Sequence, residues 1–171
     1  NAQKIWNFLR DKGYSKAGAA GLMGNLYAES GFRPNNVENQ YEGKYGDDTT
    51  YTSKVNDKSY GKDAFSRDAA GYGLAQWTYH TRKSGLYDTT VGQGLSIADL
   101  AGQLAYLDKE LQGYSGLYKT LKNTTSIDTA SDQVLTDFER PAVLNYDARR
   151  AYSKSVYDQY ANATSGASTG S

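Results

Sequence analysis

The sequence predicts an all-α or nearly all-α domain carrying one long polar excursion after its second helix. Three observations lead there. Apolar residues recur at the three-to-four spacing of amphipathic helices over most of the chain, and no convincing period-two run marks a strand. The stretch from Pro34 to Asp68 breaks the pattern, being dense in Asn, Asp, Lys, Gly and Tyr and poor in core formers. The 171 residues fit one domain with a real core.

The elements follow in order. From Ala2 to Lys12, Ile5, Trp6 and Leu9 share one helical face, with Gly13 as the stop; Ser15 then caps a second helix reaching about Ser30. The polar excursion reads as surface loops and short helices laid over a groove, Thr49 to Asp57 among them, with at most a rudimentary hairpin. A capping box of Ser96 and Asp99 opens the clearest helix, whose face carries Ile97, Leu100, Ala101, Leu104, Leu107 and Leu111 as far as Gly113. Tyr114 to Lys122 reads as a short helix, and Ile127 to Glu139 as another, closed by Pro141. A last one runs from about Tyr146 to Tyr160. The domain spans residues 1–161, and Asn162 to Ser171, rich in Ser, Gly and Thr, is expected to be a flexible linker or tail. A start at Asn1 suits a processed or excised piece of a longer protein.

Composition narrows the chemistry. Lys and Arg number 19 against 19 Asp and Glu and are scattered, so the electrostatic footprint of a nucleic-acid binder is missing. Apolar runs fall far short of the roughly 18 residues of a membrane span. Without cysteine there is neither disulfide nor thiolate, and a single His argues against an all-protein zinc cluster, so no metal or cofactor is expected. Carboxylates, hydroxyls and amides remain. The 16 tyrosines suit either a groove for amphipathic ligands such as sugars and peptides or the half-exposed positions of a small helical protein.

Among the carboxylates, Glu29 stands out. The second helix, full of Ala and Gly, carries it as its one acid from Ala17 to Phe32, without a cation. Burial of so small and apolar a helix would desolvate Glu29, and the negative end of the helix dipole acts in the same direction, raising its pKa toward that of a general acid. Gly31 and Pro34 end the helix just beyond it. The competing readings are a surface glutamate or one arm of a structural ion pair. A second cluster, Ala70 to Arg82 (AGYGLAQWTYHTR), combines glycines that allow close backbone approach with Tyr72, Gln76, Trp77 and Tyr79. It reads equally as a turn with Trp77 as core anchor. His80 lacks a Ser or Cys partner and reads as a surface or hydrogen-bonded residue.

Together these motifs resemble the lysozyme-like superfamily and are most similar to the phage tail lysozyme family, with goose-type lysozymes and lytic transglycosylases as wider relatives. The resemblance rests on Gly24, Asn25, Glu29, Ser30, Gly31 and Pro34, then Gly71 to Thr78 (GYGLAQWT) with Arg82, and Phe138-Glu139-Arg140-Pro141. It spans about residues 3 to 160. It implies a lysozyme-like helical fold and a peptidoglycan glycosidase cleaving the β-1,4 bond between N-acetylmuramic acid and N-acetylglucosamine, with Glu29 as proton donor. Tyr72 and Gln76 become the foremost ligand contacts, backed by Trp77, Tyr79 and Arg82.

The second carboxylate stays open. Inverting glycosidases hold a base about 6.5–9.5 Å from the acid, and retaining ones a nucleophile at about 5–5.5 Å. The excursion offers Glu38, Glu42, Asp47, Asp48, Asp57, Asp63 and Asp68. Goose-type relatives carry an aspartate shortly before the glycine-aromatic motif, a place that Asp68 nearly occupies, and Glu42 is the second choice. Glu139, near a helix end, could also reach the groove, though it reads first as a structural residue. Lytic transglycosylases of this fold manage with one Glu and leave 1,6-anhydro ends, a route that remains open. A glucosaminidase or a non-catalytic glycan-binding module would fit the same motifs. The expected partners are bacterial glycan strands, with neither nucleic acid nor membrane insertion. The expected setting is a monomeric domain of a larger modular protein, extracellular and wall-associated or part of a phage tail or conjugation-type enzyme.

Overall fold

The computed structural model describes residues 1–162, so all but the first residue of the expected Ser/Gly/Thr-rich tail lies outside the described residues. Among those residues ten α-helices follow in chain order: α1 (Ala2–Asp11), α2 (Lys16–Ser30), α3 (Glu42–Tyr45), α4 (Asp48–Asn56), α5 (Lys62–Arg67), α6 (His80–Thr89), α7 (Leu100–Gln112), α8 (Ser115–Asn123), α9 (Ile127–Gln133) and α10 (Tyr146–Val156). Wide π turns, Val134–Glu139 and Tyr157–Ala161, extend α9 and α10. No strand forms among the described residues. The expected hairpin is reduced to two isolated antiparallel bridges, Val37 with Tyr72 and Tyr72 with Trp77. The chain, mainly α as the periodicity predicts, divides into two compact units: Asn1–Ala28 with the segment from Glu110 onward, and Glu29–Lys109.

The first unit is built on the glycine row of α2. Ser15 opens that helix by accepting the Gly18 amide at 2.9 Å. Gly18, Gly21 and Gly24, spaced by one turn, bring its backbone against α8, α9 and α10. A β-carbon at these positions would stand 1.9 Å from the Leu121 carbonyl oxygen, 2.5 Å from Ala130 Cβ and 2.0 Å from Ser153 Oγ. No larger side chain fits such an approach. Asn25, fully buried, ties the same helices together: its amide donates to the carbonyls of Gly21 and Ser131, and its oxygen accepts from Arg149 at 3.0 Å. Both ends of the Asn25 amide thus have partners, which keeps its burial from being costly.

The second unit is shorter in its helices and richer in polar ties. Tyr51, Phe65 and Tyr72 form its aromatic centre, Tyr72 stacking on Tyr51 at 5.4 Å and meeting Phe65 edge-on at 5.8 Å. Two expectations change here. The helix expected from Ser96 begins at Leu100, because the Asp99 carboxylate takes the Gly102 amide at 2.8 Å while Ser96 Oγ accepts from Ala98 and Asn56 instead. Helix α5 is one of the short helices expected in the excursion, whereas α6 is an addition: α6 (HTRKSGLYDT) buries only Lys83 and Leu86, too few apolar positions to show a period.

Candidate active site

The residues expected at a catalytic or ligand-binding site all lie in the second unit, Glu29–Lys109. Glu29 occupies the last turn of α2 and is half-buried. The next residue, Ser30, is buried and donates its hydroxyl to the Leu74 carbonyl at 2.8 Å. Gly31 (φ 62°) and Phe32 (φ 64°) then turn the chain out of the helix in the left-handed region. The helix end that carries Glu29 is therefore tied to the glycine-aromatic motif itself.

That motif is a tight loop. Tyr72 and Trp77 exchange backbone hydrogen bonds of 3.0 Å in both directions, closing the four residues between them, with Gly73 (φ 83°) and Gln76 (φ 54°) in left-handed conformations. Gln103 holds the loop from outside the motif. Fully buried on α7, it accepts the Leu74 amide at 3.0 Å and donates to the carbonyls of Pro34 at 2.7 Å and Ile97 at 2.9 Å. Its position on the apolar face between Leu100 and Leu107 is the signal that sequence reasoning could have used, since a polar residue there needs buried partners. Gln76 is oriented by donating to the carbonyls of Asn36 at 2.9 Å and Gly73 at 3.0 Å, which turns its own oxygen toward Gly71.

Of the other residues expected at a ligand surface, Tyr72 and Trp77 are wholly buried and offer no ring face in this conformation. The Tyr72 hydroxyl is paired with Thr52 at 2.6 Å, and the Trp77 ring packs on Tyr106 at 5.4 Å. Tyr79 is 64% exposed, its ring 5.0 Å from that of His80. Arg82 is half-buried on α6, with its carbonyl accepting the Tyr106 hydroxyl at 2.6 Å. Glu42 opens α3, half-buried between the positions of Tyr41 and Tyr45, whose rings lie 5.9 Å apart.

Asp68 and Glu38 approach the loop from its N-terminal side in contrasting ways. The Asp68 side chain is buried and accepts four hydrogen bonds: Oδ1 from Lys83 Nζ at 2.5 Å and the Ala70 amide at 3.0 Å, Oδ2 from the hydroxyls of Tyr51 at 2.7 Å and Tyr60 at 2.8 Å. Lys83 is itself fully buried; it also donates to the Ala70 carbonyl and lies 4.4 Å over the Phe65 ring. Burial pulls the Lys83 ammonium below the usual lysine range, against the pull of Asp68. Burial, followed by the charge of Asp68, pushes the Tyr51 hydroxyl far above its ordinary value, so it remains a neutral donor. Glu38 is half-buried instead. Its backbone amide bonds the Gly71 carbonyl, its Oε1 accepts the Gly71 amide, both at 2.9 Å, and its Oε2 accepts from Gln40. Neither Lys83 nor Gln103 is expected from sequence, and for Lys83 the sequence holds no local signal.

The family model of the phage tail lysozymes matches residues 1–160. The chain belongs to the phage tail lysozyme family. That membership gives it a lysozyme-like role in the degradation of peptidoglycan. No curated protein matches the chain. Within this lysozyme-like domain the motif residues serve two ends. Gly24 and Asn25 pack helices in the first unit, whereas Ser30 and Gly71 to Trp77 build the loop beside Glu29 in the second. Among the described residues no helix is long and apolar enough to cross a membrane, and no cluster of His, Asp or Glu has the arrangement of a metal site.

Proposed function

We propose that the domain is a muramidase, cleaving the β-1,4 bond between N-acetylmuramic acid and N-acetylglucosamine with Glu29 as the general acid. The observation that carries this reading is the coupling of Glu29 to the glycine-aromatic loop through Ser30 and the Leu74 carbonyl. An acid must be held within reach of the leaving oxygen while the glycan is gripped, and one hydrogen bond joins the two parts. Gln76 of the loop and the exposed Tyr79 just beyond it are the residues assigned to the sugar surface, Tyr79 by its ring face. Tyr72, Trp77 and Arg82 act in this reading by shaping and supporting the loop. Asp68 is assigned as a structural carboxylate: with four donors already on its two oxygens, activating a water would require giving one of them up. The glycan strand is the partner, and a phage tail or another wall-acting protein is the setting.

The test is digestion of purified peptidoglycan by the wild type and Glu29→Gln, with muropeptides analysed by mass spectrometry without prior reduction. Free N-acetylmuramic reducing ends are expected from the wild type, falling at least about 100-fold in the variant. N-acetylglucosamine reducing ends would make it a glucosaminidase, and 1,6-anhydro ends a lytic transglycosylase. Pull-down with walls but no release by either protein would leave a glycan-binding module.

A further inference from the structure

The second unit holds a cluster of oxygens around Gly71 that the general acid does not explain. A β-carbon at Gly71 would lie 3.0 Å from Gln76 Oε1, 3.2 Å from Thr78 Oγ1 and 3.3 Å from Glu38 Oε1. Three oxygens therefore converge on the small space in front of one glycine. Their hydrogen bonds fix how they present themselves. The Gln76 amide nitrogen is committed to two carbonyls, and the Thr78 hydroxyl donates to the Gln76 carbonyl at 2.9 Å, so both side-chain oxygens turn lone pairs toward the cluster. Glu38 Oε1 is steadied by the Gly71 amide. Thr78 is exposed and Glu38 and Gln76 half-buried, so the cluster opens to solvent. Three acceptors in so small a space suit a molecule that brings two donors, and water is the smallest. A carboxylate positioned by hydrogen bonds beside such a water is what an inverting glycosidase needs for its base.

We propose that Glu38 is the general base of the reaction, an assignment that rests on the reading of Glu29 as the acid. Glu38 takes a proton from a water held with Gln76 and Thr78, and the water oxygen bonds to the anomeric carbon as the glycosidic C–O bond breaks. The departing oxygen takes the proton of Glu29. Glu38 ends protonated and Glu29 ionised, and exchange with solvent restores both. Glu38 bonds the loop at Gly71, and Ser30, the neighbour of Glu29 in the chain, bonds it at Leu74, so the segments that carry the two carboxylates attach to one loop at different points. Asp68, three residues before Gly71, is spent on Lys83 and two tyrosines.

The experiment compares wild type, Glu38→Gln, Glu38→Ala and Glu38→Asp on soluble glycan strands, with a thermal melt of each. Glutamine keeps an oxygen for the Gly71 amide, so Glu38→Gln is expected to melt near the wild type while kcat falls at least about 100-fold. The acid limb of the wild-type pH–rate profile is expected to vanish in Glu38→Gln and to persist, at reduced kcat, in Glu38→Asp. Azide is expected to restore turnover of Glu38→Ala with a glycosyl azide as product, which a purely structural role would not yield. A folded Glu38→Gln with wild-type kcat overturns the proposal, as does a slow variant that keeps the acid limb and whose alanine counterpart azide does not rescue. Wild-type products with 1,6-anhydro ends also overturn it, since no water then attacks, yet they leave Glu29 as the acid. A wild type that releases nothing defeats the glycosidase reading itself.

Discussion

Each of the two compact units is held together internally, and by means opposite to the other's. In the unit formed by Asn1–Ala28 and the segment from Glu110 onward, helices meet through missing side chains: the glycines of α2 let backbone touch backbone at Leu121 and Ser153. In the Glu29–Lys109 unit, loops and short helices are joined by added polar side chains, with Lys83, Asp68 and Gln103 each bonded to several partners inside the core. The first should fail when atoms are added, and the second when they are taken away. The contrast bears on the proposed site as well, since a fixed loop geometry needs directional bonds, which helix packing alone does not supply.

The sharpest test of that contrast is Lys83→Met. Methionine fills much of the space but leaves the Asp68 carboxylate buried beside two tyrosines without its cation. Removing one arm of a buried pair costs about 3–5 kcal/mol, and equilibrium unfolding in denaturant should show a loss of that size. Adding Asp68→Asn removes the orphaned charge and should recover part of it. A single variant as stable as the wild type would mean that the polar ties of the second unit contribute nothing to its stability.

Next in size is a change of sign within the first unit. Alanine for glycine inside a helix ordinarily gains up to about 1 kcal/mol, and Gly116 in α8, where an added β-carbon meets nothing within 4 Å, should show such a gain. Gly18→Ala should do the reverse and lose about 1–3 kcal/mol, because the new β-carbon would sit 1.9 Å from a backbone oxygen that no rotamer change can move. Thermal melts of both variants check it. A Gly18→Ala protein that melts above the wild type would remove close backbone approach as the device that holds the first unit together.

The same contrast explains what can be read from sequence. The first unit is legible because its helices repeat apolar residues with a period: Ile5, Trp6 and Leu9 on α1, and Val134, Leu135 and Phe138 after α9, are all buried. Glu29, the proposed acid, stands out in the sequence as the one acid of α2. The second unit is legible only in outline. Tyr72 and Trp77 look in sequence like ligand-facing aromatics, and nothing local distinguishes them from Tyr79; the difference is made by Tyr51, Phe65 and Tyr106, brought in from elsewhere in the chain. Seven acids of the excursion are likewise equivalent as letters. Asp68 and Glu38 part company through Lys83 and Gly71, and long-range partners of that kind leave no trace in spacing or composition.

The smallest expected effect sharpens the comparison at its surface edge. Asp47 caps α4, its Oδ1 accepting the Thr50 amide at 2.8 Å, and that hydrogen bond holds its carboxyl below the ordinary aspartate value of 3.8. A carboxylate whose pKa is lowered by folding contributes stability above its unfolded value and loses that contribution as the pH falls through the folded one. Asp47→Ala should therefore melt slightly below the wild type at neutral pH, with the gap closing as the pH falls from about 5 toward about 2. Asp47→Asn keeps an acceptor for Thr50 but does not titrate. Its melting point relative to Asp47→Ala should stay nearly constant over the same range, separating the hydrogen bond from the charge. Because the residue is fully exposed, both shifts should be far smaller than that of Lys83→Met, which places the strength of the second unit in its buried polar bonds rather than in its caps.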